Sequence, residues 1–78
     1  MHVYLIEVTN EDGTSFIHQV MNSPRGAFES MREYASSINA DVDDTVGTRW
    51  NLIDRETGDV VGVVDSIRKP VMSFDNGR

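Results

Sequence analysis

Helical periodicity appears in one stretch of this 78-residue chain, and a single helix can cover only one face of whatever sheet the remainder builds. Asn22-Ser23-Pro24 opens that stretch. The Ser23 hydroxyl suits the free amides of a first turn, and Pro24 suits the first helical position, where no amide partner is lost. Ala27, Phe28, Met31, Tyr34, Ala35 and Ile38 then recur at three- and four-residue spacing. Arg25, Glu29, Arg32, Glu33 and Ser36 fall on the opposite side. Asn39 is a suitable C-terminal residue, and residues 40–48 read as a polar connection.

Strand signals flank the helix on both sides. Val3 to Thr9, VYLIEVT, is apolar or β-branched at nearly consecutive positions, the pattern of a strand with both faces at least partly covered. Asn10-Glu11-Asp12-Gly13 supplies a short turn, and Ser15 to Met21 returns antiparallel. In that returning segment Phe16 and Val20 compete with Ile17 and Met21 for the core side. Arg49 to Asp54 and Asp59 to Ile67 form a second hairpin around Asp54-Arg55-Glu56-Thr57-Gly58. The expected fold class is α+β: a ββαββ domain over residues 1–67, with a four-stranded antiparallel sheet and the amphipathic helix on one face. Residues 68–78 form a tail that docks on the sheet or reaches for a partner.

The alternation within strands makes the second face a problem. Tyr4, Ile6 and Val8 point one way and Val3 and Leu5 the other, while Val60 and Val64 oppose Val61 and Val63. The face away from the helix must be covered by the tail, by another copy of the chain, or by a different protein.

Charge and composition narrow the functions. Thirteen acidic against seven basic residues give a net charge of -6, which repels a nucleic-acid backbone and favours basic partners. Direct nucleic-acid binding is not expected. With no cysteine there is neither a disulfide framework nor a sulfur-based zinc site. The N-terminal MHVYLIEV lacks a basic n-region and a signal-length apolar run. No later apolar stretch approaches the ~20 residues of a membrane span, so a soluble cytoplasmic protein is expected.

ADVDDTV, residues 40–46, matches the D-x-D-x-T spacing of aspartyl phosphotransferases. That chemistry needs an apolar strand immediately before the first aspartate and, from later segments of a far longer chain, a cation and further magnesium ligands. Here a helix precedes it, and the match is read as accidental. As a calcium loop it fails too, because Val46 stands where glycine is required and Leu52 where the bidentate glutamate belongs. His2 and His18 make a metal pair without a third ligand. None of the serines lies in a G-x-S-x-G elbow, and the glycines are isolated, so no phosphate-cradling loop is present. No catalytic residue, cofactor or metal is assigned. Trp50 is read as a core or interface anchor, with core favoured.

The remaining signal is acidic. Glu11 and Asp12 sit at one hairpin tip, Asp41, Asp43 and Asp44 in the helix-to-strand connection, and Asp54, Glu56 and Asp59 around the other tip. They are either a solubilising surface of turn-forming residues or a negative patch that docks on a basic surface. The opening VYLIEVTNEDGTSFIHQV, the helix SPRGAFESMREYAS and the closing hairpin WNLIDRETGDVVGVV together resemble the small proteins with which bacteriophages and mobile elements disable host machinery, anti-CRISPR proteins among them. The resemblance lies in size, acidity and build. It implies a non-enzymatic inhibitor that occludes a nucleic-acid-binding surface on a host protein or ribonucleoprotein complex. The competing expectation is a homodimeric structural or regulatory protein that covers its second sheet face with its own copy.

Overall fold

In a computed structural model the described residues, 1–43 and 47–71, form one five-stranded antiparallel sheet with a helix on one face. The chain order is β1 (His2–Asn10), β2 (Ser15–Met21), α1 (Pro24–Ser37), β3 (Ala40–Asp43), β4 (Arg49–Asp54) and β5 (Val60–Pro70). Across the sheet the order is β2-β1-β5-β4-β3. Two hairpin-linked groups therefore meet at β1 and β5, and α1 crosses from one sheet edge to the other to join them.

The α+β expectation holds, and the four-strand count is corrected to five. Ala40–Asp43, read in the sequence as part of a polar connection, is a strand paired in register with β4. Its alternation explains why: Ala40 is buried and Val42 packs against the core, while Asp41 and Asp43 project to the other side. Aspartate is depleted in strands and common in loops, so a short edge strand alternating with aspartates is disguised in the sequence. At the other end of the chain β5 runs to Pro70. Arg68, Lys69 and Pro70, assigned to the tail, thus belong to the sheet, opposite Tyr4, Val3 and His2. The tail from 72 onward, and Asp44 with Thr45 and Val46, lie outside the described residues.

The helix begins where expected. Ser23 is extended, and its hydroxyl accepts a 3.1 Å hydrogen bond from the Gly26 amide. It ends with Asn39 in the left-handed region at φ 57°, a position asparagine tolerates better than most residues. Ala27, Met31 and Ala35 are buried against Ile6, Val8, Val64, Trp50 and Leu52 of the sheet. Ser30, not expected on the buried side, is 4% exposed and donates to Gln19 Oε1 at 2.6 Å, which satisfies both groups. Ile38, expected to pack, caps the helix and is exposed.

Two β-bulges decide which side chains face the helix. In β2 the register with β1 slips so that His18 is the extra residue. Phe16 then pairs with Val8 and Met21 with Tyr4 on the helix side, while Ile17 pairs with Glu7 and Val20 with Leu5 on the other. The contest between those residues has a split outcome, one member of each pair on each face. In β5 the extra residue is Val61, opposite the Leu52–Ile53 step. Val61 therefore packs against the core on the same side as Val64, and Val60 and Val63 share the open face, a correction to simple alternation.

That open face carries Val3, Leu5, Glu7 and Thr9 from β1, Val63, Asp65 and Ile67 from β5, Ile17 and Val20 from β2, and Ile53 from β4. Nothing among the described residues forms a second layer over it. Glu7 and Asp65 are directly opposed like charges, and the Arg49 guanidinium on the next strand, 3.4 Å from Asp65 Oδ2, offsets their repulsion.

Candidate functional site: the acidic end of the sheet

Antiparallel pairing brings distant loops to one end of the molecule. Asn10 lies opposite Gly62, Thr9 opposite Ser15, Ile53 opposite Val60, and Ala40 opposite Asp54. The β1–β2 tip, the β4–β5 tip and the start of β3 are consequently neighbours. Six sequence-predicted site residues, Glu11, Asp12, Asp41, Asp54, Glu56 and Asp59, gather there. With strands ~4.8 Å apart, the centres of the two tips are separated by about 10 Å. Asp43 is set back by two residues along β3, roughly 7 Å from Asp41. Asp44 lies outside the described residues.

These carboxylates divide into builders and free groups. Asp12 Oδ1 accepts from the Thr14 hydroxyl at 2.6 Å and from the Thr14 amide at 3.0 Å, closing the first tip, where Gly13 takes φ 88°. Asp54 Oδ1 accepts from the Glu56 and Thr57 amides at 2.7 and 3.2 Å and organises the second tip, where Gly58 takes φ 77°. Asp41 Oδ1 receives the Arg55 Nε–H at 2.9 Å. Both tips thus contain turn-forming aspartates, as the bland expectation held. The side chains of Glu11, Glu56 and Asp59, all exposed, enter no ion pair or hydrogen bond among the described residues.

Basic groups lie elsewhere. Arg25 is at the helix start, and Arg68 and Lys69 are at the end of β5, beside the first residues of β1. At the acidic end Arg55 is the one basic side chain among the described residues, and it is engaged by Asp41. The molecule is therefore polarised along the strand direction, with unneutralised negative charge at one end.

At the basic end, partial burial of the ring, then the Arg68 guanidinium at 3.3 Å from Nδ1 and the N-terminal ammonium, hold the His2 pKa below its ordinary value. His18 lies on the neighbouring strand, against the Tyr34 ring at 4.9 Å, with no metal-sharing geometry to His2. Among the described residues no three His, Asp or Glu side chains are placed to hold one ion, no cavity is present, and no helix is long and apolar enough to cross a membrane.

For Asp12, the hydrogen bond from the Thr14 hydroxyl and then that from its amide hold the carboxyl below the ordinary range. A depressed carboxyl pKa contributes stability that is present above the unfolded value of about 3.9 and is lost as pH falls through the lower folded value. Thr14→Val removes the larger cause and leaves the amide. The Asp12 midpoint, followed by carboxyl NMR, is expected to rise toward the ordinary value; an unchanged midpoint refutes the assignment of the shift to Thr14.

Trp50, read in the sequence as an anchor with core favoured, lies in the core. It is 2% exposed, stacked on Phe28 with ring centroids 5.5 Å apart, and covered by the Arg32 guanidinium 5.0 Å from its ring centre. It ties the first turns of α1 to the start of β4.

Comparison of the chain with family models, with curated proteins and with solved structures finds no match, so the geometry above is what bears on function.

Proposed function

We propose that this chain is a non-enzymatic protein-binding module whose acidic end docks on a basic surface of a host nucleic-acid-processing complex in the cytoplasm, in the manner of the phage-encoded inhibitors its build resembles. The observation that carries this reading is the charge polarity: Glu11, Glu56 and Asp59, without ionic partners among the described residues, project beside Asp12, Asp41 and Asp54 from one end of the sheet. Such a patch occupies a groove lined by lysine and arginine, steers association and competes with the nucleic-acid backbone for it.

The test uses capture from a nuclease-treated bacterial lysate followed by a graded salt wash. A stoichiometric, nucleic-acid-processing partner released by salt is the expected result. The Glu11→Lys, Glu56→Lys, Asp59→Lys triple variant leaves the turn-forming Asp12 and Asp54 intact. It is expected to weaken binding to that partner about tenfold or more at low salt, chiefly through association rate. Equal binding by parent and triple variant at low salt removes the acidic end from the interface and the proposal with it.

A further inference from the structure

The two edges of the sheet are not alike. β3 is four residues long and carries Asp41 and Asp43, which repel an incoming strand. β2 is seven residues long, SFIHQVM, with no acidic, lysine, arginine or proline residue, and six of its seven positions are exposed. Phe16, Ile17 and Val20 are 41%, 47% and 54% exposed, a concentration of apolar surface on the strand whose outer backbone groups have no neighbouring strand among the described residues.

The bulge makes this edge self-complementary. Opposed residues of an antiparallel pair point to the same face, so a second β2 must match helix-side residues with helix-side residues. The slip at His18 puts Phe16, His18, Gln19 and Met21 on the helix side and Ile17 and Val20 on the open side. His18 and Phe16 lie against Tyr34, and Gln19 is bonded to Ser30. Pairing centred on His18 sets Ile17 against Gln19 and mixes the faces. Pairing centred between His18 and Gln19 matches throughout: Phe16 with Met21, Ile17 with Val20, and His18 with Gln19.

From this symmetry we infer that a second copy of the chain occupies the β2 edge, through a two-fold axis between His18 and Gln19 that joins the two sheets into one of ten strands. An isologous contact needs a patch complementary to itself, and the order apolar, apolar, polar, polar, apolar, apolar over residues 16–21 has that property. The same register carries Asp12 and Glu11 of each copy toward Arg25 of the other. Arg25's side chain is 91% exposed, and its nearest carboxylate, Glu29, lies 3.9 Å away. That pairing offsets part of the repulsion between two chains of charge -6.

The experiment is sedimentation equilibrium of the purified full chain over a range of concentrations, with Ile17→Lys, with Val20→Glu, and with both changes in one chain. The parent is expected to be a reversible dimer of twice 8.7 kDa. Each single change places an unpaired charge at the new strand pair and is expected to weaken the dimer ~10-fold or more. The double variant is expected to dimerise again, because the introduced lysine of one copy then faces the introduced glutamate of the other, twice. Circular dichroism checks that all four chains fold; the exposure of both positions and the rescue together exclude simple unfolding.

A parent that remains monomeric up to about 1 mM overturns the proposal. So does a dimer indifferent to both single changes, which would place the second copy away from β2; an open-face dimer, which would also lose Ile17 and Val20, is told apart by the failure of the double variant to recover. Failure of the double variant to recover overturns the register. No basic partner is present in this assay, and added salt screens the net repulsion rather than releasing the dimer. Its outcome is therefore separable from that of the docking reading.

Discussion

Trp50→Ala is expected to destabilise the domain by ~3–5 kcal/mol, the range for removing a large buried aromatic and leaving a cavity. A chain of this length has about 4–12 kcal/mol in total, so the variant retains little margin and is largely unfolded a short way above room temperature. The size of the effect follows from what the indole touches. One ring face stacks on Phe28 at an interplanar angle of 14°, the Arg32 guanidinium lies within cation–π distance, and Nε1–H donates to the Gly47 carbonyl at 2.8 Å. Trp50→Phe keeps an apolar ring against Phe28 and loses the hydrogen bond. It is expected to cost less than half as much, because the exposed Gly47 carbonyl regains water. Urea denaturation followed by far-ultraviolet circular dichroism measures both, since the chain's sole tryptophan is the residue removed. A loss below 1 kcal/mol for the alanine variant contradicts this account of how α1 is fastened to β4.

Gly62→Val sets two arguments against each other. Valine is favoured in strands and glycine is not, so propensity alone expects a gain. Geometry expects a loss. A Cβ at position 62 falls 2.7 Å from the Thr9 carbonyl oxygen, inside the distance real Cβ atoms keep from backbone, and 3.4 Å from Leu52 Cδ1. The obstructing atom belongs to β1 itself, so relief requires opening the β1–β5 pair at its Asn10–Gly62 end. A cost of ~2–3 kcal/mol is expected, typical of overpacking in a place that cannot yield. Gly62→Ala is expected to show the same sign with a smaller value. A midpoint of thermal unfolding equal to or above the parent's for the valine variant shows that β1 gives way freely and removes the steric account.

The parts of the fold legible in the sequence are those in which local chemistry and tertiary role agree. Ser23-Pro24 marks the helix start because capping depends only on neighbours. Gly13 and Gly58 mark the tips because positive φ is a local demand. What escaped depends on pairing. The strand Ala40–Asp43 exists because Ala40 and Val42 have β4 and α1 to pack against, and its aspartates read as loop until that partner is known. The bulges at His18 and Val61 leave no mark in hydrophobic order, so the facing of Phe16, Val20, Val60 and Val61 was undecided or reversed. The acidic residues of the site were visible one by one. Their convergence was not, because it follows from β1 and β5 lying side by side, a contact between opposite ends of the chain.

That contact between β1 and β5 also bears on how the domain comes into being. Val3 pairs with Lys69 and Leu5 with Ile67, so the middle of the sheet is the part made from residues furthest apart in sequence. The first hairpin and the helix can form as local units while synthesis continues, yet the sheet has no centre until β5 is free of the ribosome. Folding is thereby postponed until β5 has been made and slowed by the entropy of closing the long loop between β1 and β5. During that interval β1, apolar on both faces, is the segment whose exposure would invite aggregation or a chaperone.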